Sequence, residues 1–178
     1  NLLDMARVEA GALPMKAEAT DLFDAVASAV HDTRASLAGR EVRVEIPPNI
    51  PLVMVDPVLL HHCLINLIDN AGRYGDAGTP ITIVGRRTHD ALLLSVIDRG
   101  PGIPQGQEAR VFETFTRLEG SDRVRHGTGL GLAIVKGFAE AMGLSVEARN
   151  MEDPSGACFT IRVPDPLILP HLNGREGA

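Results

Sequence analysis

The sequence predicts an α/β domain, because segments with helical and strand periodicity alternate along its 178 residues. Four segments repeat their apolar residues with the period of a helix, and shorter segments alternate with the period of a strand. Hydrophobic residues make up 44% of the chain and aromatic residues 3%, so aliphatic side chains must fill the core. The length suits one ordinary domain with a short appendage.

The first half of the chain is predicted to contain a helix end, two amphipathic helices and short strands. The predicted elements are a helix over 1–10, an extended segment over 16–20, a helix over 21–37, strands over 40–46 and 52–55, and a helix over 57–74. Gly11 and Pro14 would end the first helix. Asp56 and Pro57 are a strong helix start, since a capping side chain precedes a proline at the first helical position.

The second half of the chain is predicted to add strands, a long loop and one helix. The predicted elements are strands over 79–88 and 91–97 joined across His89 and Asp90, a helix ending at Met142, strands over 144–149 and 157–163, and a poorly ordered tail over 165–178. The loop over 99–126 is longer than a structureless connection usually is in a compact domain. Its only apolar anchor is at 111–115, so we interpret the loop as a lid.

Asp98 ends the predicted strand 91–97 in an unusual place for a carboxylate. Alternation puts Asp98 on the same face as Leu92, Leu94 and Val96, so an acid ends an apolar row. A carboxylate placed there costs free energy unless a donor satisfies it. Either a protein group or a ligand amine is therefore expected beside it.

Two glycine clusters enclose the long loop. Gly100 and Gly102 follow Asp98 and let the backbone turn freely or let another molecule approach closely. The second cluster leads directly into a helix and comprises Gly127, Thr128, Gly129, Leu130 and Gly131. Free N–H groups and the positive end of a helix dipole favour a phosphate there. The alternative is that both clusters contain only turn glycines.

A polar ridge runs beside the apolar stripe of the predicted helix 57–74. The stripe consists of Leu60, Cys63, Leu64, Leu67, Ile68 and Ala71. The ridge consists of Asn66, Asn70, Arg73 and Tyr74. Asparagine has a low helix propensity, so two asparagines inside one helix need an explanation. Either both amides bond core backbone, or their oxygens meet a hydrated Mg²⁺, with Arg73 near phosphate and Tyr74 against a base.

Composition and spacing exclude several other classes. The net charge of −6 and the absence of a basic track argue against a nucleic-acid surface. Cys63 and Cys158 lie far apart without CxxC spacing, so neither a disulfide framework nor a zinc site is indicated. No run approaches the roughly 20 apolar residues of a membrane span. The glycines fit neither GxxxxGK[ST] nor GxGxxG, so P-loop and Rossmann interpretations fail.

Four motifs together carry a family resemblance. The segments 66–74, 98–104, 112–117 and 127–131 resemble, in order and spacing, the catalytic ATP-binding domain of bacterial sensor histidine kinases. The patterns around 2–11 and 156–164 also resemble those of the potassium-responsive Kdp type in particular. The resemblance implies a two-layer α/β sandwich of the histidine kinase, gyrase and heat-shock ATPase type, the Bergerat fold. A mixed sheet of about five strands would then be covered on one face by three helices. It also implies that 1–12 ends a dimerisation and phosphoacceptor hairpin, 13–165 is the catalytic domain with a lid at about 99–127, and 166–178 is a tail.

The resemblance also assigns roles to the candidate residues, with ATP and Mg²⁺ as cofactors. Asp98 would accept from the adenine amine in a base pocket shaped by Gly100 and Gly102. Asn70, helped by Asn66, would hold Mg²⁺. The remaining expected nucleotide contacts are Tyr74 and Ile103 at the adenine, Arg73 and the backbone of 127–131 at the phosphates, and Arg117 in the lid.

One position separates a kinase from a hydrolase. ATPases that resemble this family place a glutamate, the general base for water, four residues before the metal-binding asparagine, where this chain has Asn66. An amide cannot take that proton. A histidine acceptor needs no such base, because neutral imidazole already has a lone pair. The alternatives are a serine kinase of the anti-sigma type, an ATPase of the same fold and a nucleotide-free scaffold.

The resemblance places the remaining parts of the reaction outside this chain. His31 lacks the proline of a phosphoacceptor box and follows the segment that the box should precede, so we interpret it as a solvated helix residue. We expect a fragment of a longer, membrane-anchored protein with its catalytic domain in the cytoplasm. The expected partners are its own missing dimerisation and phosphoacceptor domain, a second copy in the full-length homodimer and a response regulator.

Overall fold

A computed structural model describes Leu3, Ala6, Arg7, residues 10–113 and residues 130–170 of the chain. The helices with defined bounds are α1 (Leu22–Thr33), α2 (Pro57–Tyr74) and α3 (Gly131–Ala141), and Leu3, Ala6 and Arg7 are also helical. The strands are β1 (Glu18–Thr20), β2 (Val42–Glu45), β3 (Val53–Val55), β4 (Ile81–Arg87), β5 (Ala91–Ile97), β6 (Ser145–Met151) and β7 (Gly156–Pro164). Short 3-10 turns occupy Arg110–Phe112 and Asp165–Leu167.

Five strands form one mixed sheet in the order β2-β4-β5-β7-β6. β2 runs parallel to β4, whereas the pairs β4–β5, β5–β7 and β6–β7 are antiparallel. β1 and β3 form a separate antiparallel pair. The mixed sheet of about five strands that the sequence predicts is confirmed.

The helices form the second layer on one face of this sheet. α1 packs against α2, α2 packs against α3, and α2 also contacts β4 and β5. On the covered face of β5, Leu92, Leu94 and Val96 are at most 1% exposed. All six residues of the predicted stripe on α2 are buried as well. The core is therefore aliphatic and lies between α2 and the central strands.

The start of α2 confirms the capping prediction. Asp56 Oδ1 accepts from the backbone nitrogens of Val58 and Leu59, at 2.9 and 3.2 Å. Its second oxygen accepts from the backbone nitrogen of Lys16 at 2.8 Å. One buried carboxylate thus satisfies two free N–H groups of the helix and ties the segment before β1 to it.

Several predicted boundaries differ from those in the structure, and the largest difference is at the end of α1. α1 ends at Thr33 rather than at residue 37, and turns follow in which Ala38 and Gly39 have φ values of 49° and 84°. Leu37 is nevertheless buried, so its apolar signal reflects packing rather than helix. β2 runs from Val42 to Glu45 rather than over 40–46, β4 begins at Ile81 rather than at residue 79, and β6 ends at Met151 rather than at residue 149.

The chain ends make defined contacts where the structure describes them. Gly11 has a φ of 65° and the Ala12 amide donates to Arg7 O at 2.8 Å, the bond that ends a helix in a Schellman motif. The prediction of a poorly ordered tail over 165–178 is wrong for 165–170, which lie within the described structure, and residues 171–178 lie outside it. Within 165–170, Ile168 bridges to Val53, and Asp165 pairs with Arg87 at 2.7 Å. No helix in the described part of the chain is long and apolar enough to cross a membrane.

Candidate functional site

Asp98 lies at the end of β5, where the sheet and the end of α2 meet. It is 3% exposed. The backbone nitrogen of Ala157 donates to Asp98 Oδ1 at 3.2 Å, and the Asp98 amide donates to Ala157 O at 3.0 Å. Within the described structure the bond from the Ala157 nitrogen is the one hydrogen bond to the Asp98 carboxylate, so Oδ2 keeps its accepting capacity. The predicted acid at the end of an apolar row is confirmed in its position.

Burial perturbs the Asp98 carboxylate. Loss of hydration raises the pKa of Asp98 from 3.8 to about 6, and the repulsion of Asp76 acts in the same direction. The hydrogen bond from Ala157 and the charge of Arg40 oppose that rise. The site thus holds an anion at neutral pH that the protein itself stabilises incompletely.

Arg40 brings a buried cation to the same corner. It donates through Nε to Thr79 O at 2.9 Å and through Nη1 to Gly72 O at 3.1 Å. Nη2 is buried and has no partner within the described structure. A side chain added at Gly75 would place its Cβ 2.9 Å from Nη2 and 3.2 Å from Asp98 Cβ, so Arg40 and Asp98 flank one point. Arg40 is an electrostatic partner of the acid, at a distance beyond a hydrogen bond.

The backbone after Asp98 passes close to the end of α2 and to the β6–β7 hairpin. A Cβ at Gly100 would lie 2.8 Å from Tyr74 O, and one at Gly102 would lie 2.5 Å from Asn150 Oδ1. Gly102 also has a φ of 77°, a conformation that other residues rarely adopt. The next residue, Ile103, is buried. Both predicted pocket glycines are therefore required by close approach.

Asn66 and Asn70 follow one another along α2. Asn66 Nδ2 donates to His62 O at 2.8 Å, which leaves Oδ1 directed away from its own helix. A Cβ at Gly131 would lie 3.1 Å from that oxygen, so Asn66 faces the start of α3. The Asn70 side chain bonds to no residue that the structure describes. The Asn66 amide thus bonds backbone as the first alternative stated, and neither amide oxygen has a hydrogen-bond partner among the described residues.

The start of α3 offers the second half of the site. α3 begins at Gly131, preceded by the buried Leu130, and none of the described side chains caps it. Arg73 and Tyr74 are exposed in the last turn of α2. Asn66, which faces the start of α3, and Tyr74, in the last turn of α2, are eight residues apart, which corresponds to a rise of roughly 12 Å along the helix axis. The predicted residues Arg117, Gly127, Thr128 and Gly129 lie outside the described residues.

A cation at this site would depend on amide oxygens. The described residues contain no group of three or more His, Cys, Asp or Glu side chains suited to hold a metal ion. Asn66 and Asn70 present neutral oxygens, which Mg²⁺ accepts together with phosphates and water. The donor set therefore fits Mg²⁺ delivered with a phosphate ligand, and does not fit zinc.

Sequence reasoning missed four residues that shape the site, namely Arg40, Asn150, Ser155 and Gly156. A Cβ at Gly156 would overlap the carbonyl oxygen of Asp98. Ser155 accepts from the Gly100 amide through its backbone oxygen at 3.1 Å and donates through Oγ to Gly100 O at 2.9 Å. These contacts join residues more than 50 positions apart. Among these four residues, the one with a sequence signal is Gly156, a glycine directly before the predicted strand 157–163.

The fold and the site together define a class. A mixed five-stranded sheet lies under three helices, an acid ends a central strand, and Asn66 faces a helix start that no described side chain caps. This is the α/β sandwich of the histidine kinase and gyrase type that the sequence predicts.

The chain belongs to the family of histidine kinase-, DNA gyrase B- and HSP90-like ATPases, whose family model matches residues 55–167. The sensor protein KdpD of Escherichia coli is 37% identical over 164 residues, which are 92% of this chain and 18% of that protein. The resemblance to Kdp-type sensor kinases is thereby confirmed. This chain spans about a fifth of the length of such relatives.

Two solved structures show the same architecture. The mycobacterial sensor histidine kinase MprB matches with a TM-score of 0.73 and 26% identity, over 84% of this chain and 97% of that chain. Full-length ShkA, solved in complex with AMPPNP, matches with a TM-score of 0.78 and 28% identity, over 92% of this chain and 34% of that chain. The predicted fold class is confirmed.

Proposed function

We propose that this chain is the ATP-binding catalytic domain of a two-component sensor histidine kinase. It binds Mg-ATP and donates the γ-phosphoryl group to a histidine on a dimerisation and phosphoacceptor domain, from which a response regulator receives it. The observation that carries the proposal is the buried Asp98 carboxylate, which keeps one oxygen free at the end of β5.

The free oxygen of Asp98 suits the exocyclic amine of adenine. A buried acceptor without a donor is costly, and an amine donor removes that cost while it adds a charge-assisted hydrogen bond. The backbone at Gly100 and Gly102 approaches its neighbours too closely for side chains, so main chain forms this border of the pocket. Tyr74, 41% exposed at the end of α2, offers a ring to the base.

The other end of the site suits phosphates and their cation. The amide oxygens of Asn66 and Asn70 would hold Mg²⁺, which neutralises the phosphate charge during transfer. The N–H groups at the start of α3, which no described side chain caps, and the guanidinium of Arg73 would contact phosphate oxygens. We retain Arg117, Gly127, Thr128 and Gly129 in this set as predictions.

Phosphoryl transfer to histidine agrees better with Asn66 than hydrolysis does. The Asn66 amide already donates to His62 O and has no basic atom for a proton from water. A kinase requires mainly positioning and charge stabilisation. The proposal includes a homodimeric, membrane-anchored full-length protein whose catalytic domain meets ATP in the cytoplasm.

Calorimetric titration of the 178-residue chain with ATP and Mg²⁺ tests the first step. Saturable binding of ATP at one site is expected. The affinity should be lower in Asp98→Asn, and the increase in affinity that Mg²⁺ gives should depend on Asn70. An absence of saturable binding would leave only the scaffold alternative. For the second step, γ-labelled ATP should label a histidine in the full-length protein, and labelling of serine would favour the anti-sigma type of kinase.

A further inference from the structure

Three residues form one row across the sheet beside the proposed adenine pocket. Asn150 on β6 pairs with Ala157 on β7, and Ala157 exchanges hydrogen bonds with Asp98 at the end of β5. Residues in register on adjacent strands point to the same face. Asn150 thus lies on the edge strand β6, and its side chain is on the same face of the sheet as that of Asp98.

The Asn150 side chain holds both polar groups of one residue in the pocket loop. Its Oδ1 accepts from the Ile103 amide at 2.6 Å, and its Nδ2 donates to Ile103 O at 2.7 Å. The carboxamide therefore pairs with Ile103 as a neighbouring strand would. Since Ile103 N can only donate, the orientation of the amide is fixed by its partners. Asn150 is exposed, so the two bonds rather than core packing account for its position.

The same hairpin holds the other end of this loop. Ser155 exchanges two hydrogen bonds with Gly100, so the segment from Gly100 to Ile103 is fastened at both ends. Between the two fastenings, Gly102 approaches Asn150 so closely that a Cβ would lie 2.5 Å from Oδ1. The loop is therefore held in one position relative to Asp98, and Asn150 fixes its C-terminal end at Ile103.

The geometry points to Asn150 as a positioning residue that sets base specificity, by holding the Gly102–Ile103 backbone at a fixed distance from Asp98. This inference rests on the nucleotide function proposed above. Asp98 alone offers an acceptor to any amine, whereas a wall at a fixed distance admits the purine in one orientation. Asn150 touches no reacting atom, so its effect is confined to the base.

Calorimetry with ATP, ADP, GTP and tripolyphosphate, each with Mg²⁺, separates a base effect from a phosphate effect. In Asn150→Ala, the affinities for ATP and ADP should fall by the same factor, about tenfold to thirtyfold for two lost hydrogen bonds. The preference for ATP over GTP should fall, and binding of tripolyphosphate should stay the same. Arg149→Ala, on the opposite face of the same strand, is the matched control and should behave like the wild type.

The outcomes separate this inference from the proposed function. Failure of the wild type to bind ATP would end the proposed function itself. Wild-type binding together with unchanged ATP affinity and unchanged ATP-to-GTP preference in Asn150→Ala would overturn only the role of Asn150. A loss of stability without a change in that preference would also overturn it.

Hydrogen exchange in the wild-type protein provides a measurement that does not depend on the folding of a variant. The Ile103 amide should be protected, because Asn150 Oδ1 is its partner. Exchange of that amide at the rate of an open loop would contradict the fastening on which the inference depends.

Discussion

Replacement of Asp98 by asparagine should stabilise the unliganded fold at pH 8 and leave its stability almost unchanged at pH 4. Burial raises the pKa of Asp98 from 3.8 to about 6. The difference between these values corresponds to about 3 kcal/mol of unfolding free energy. Asparagine carries no charge, and its amide oxygen can still accept from the backbone nitrogen of Ala157.

The sign follows from proton binding in the two states. Between about pH 4 and pH 6, the folded protein holds the Asp98 proton more tightly than the unfolded chain does. The free energy of unfolding therefore falls as the pH rises through this window, and the full penalty is present above it. The asparagine variant lacks this fall.

Urea unfolding followed by circular dichroism measures the effect, because the chain has no tryptophan for fluorescence. The unfolding free energy of the variant minus that of the wild type should grow by about 2 kcal/mol from pH 4 to pH 8, because part of the full penalty is already present at pH 4, where the unfolded carboxyl is more than half ionised. Subtracting the two free energies removes the contribution of every group that titrates in the same way in both proteins.

Asp90→Asn, just before the other end of β5, is the matched control. A hydrogen bond from Thr88 lowers the pKa of the exposed Asp90, so the charged form is favoured there and asparagine should gain nothing as the pH rises. A constant difference for Asp98→Asn from pH 4 to pH 8 would refute the reasoning about burial. A stabilised variant that binds ATP as well as the wild type would leave burial intact and remove the adenine role.

Four further changes test other parts of the molecule. Asn70→Ala should abolish autophosphorylation of the full-length protein and change stability by no more than about 0.5 kcal/mol, and unchanged labelling would remove the metal role. Gly156→Ala should lower the urea stability by about 1–3 kcal/mol, because its Cβ would overlap Asp98 O. Arg40→Gln should raise the pKa of Asp98 further in an NMR titration, whereas Arg40→Lys should not, since the charge of Arg40 lowers that pKa. Asp56→Ala should cost about 2 kcal/mol in urea and leave the ATP affinity of the folded protein unchanged.

Local signals predict those elements whose ends are determined by neighbouring residues. α2 has the predicted bounds because Asp56 caps its start and the pattern stops at Gly75. β5 likewise runs from Ala91 to Ile97 as predicted. α1 was predicted too long because Leu37 continues the apolar period, although turns follow Thr33. Periodicity reports burial, and burial does not require a helix.

The site could be predicted only where a residue breaks a local rule. Asp98 on an apolar row and Asn66 inside a helix stand out in the sequence itself. Asn150 does not, because an asparagine near the end of a strand is an ordinary turn signal. Its partner Ile103 lies 47 residues away, and the pairing depends on the register of three strands. Such long-range pairing leaves no local pattern.

The broken rules lie along one side of the molecule, which argues for a ligand rather than for separate accidents. Asp98 is a buried acid with a free oxygen, Asn70 is a helix amide without a described partner, and Gly131 starts a helix that no described side chain caps. Under the proposed function, each of these features would be satisfied by a different part of Mg-ATP, namely the adenine amine, the cation and a phosphate. Because Asp98→Asn removes the charge that the adenine amine would relieve and should weaken nucleotide binding, the stability gained from this substitution and the stability gained from nucleotide should not add.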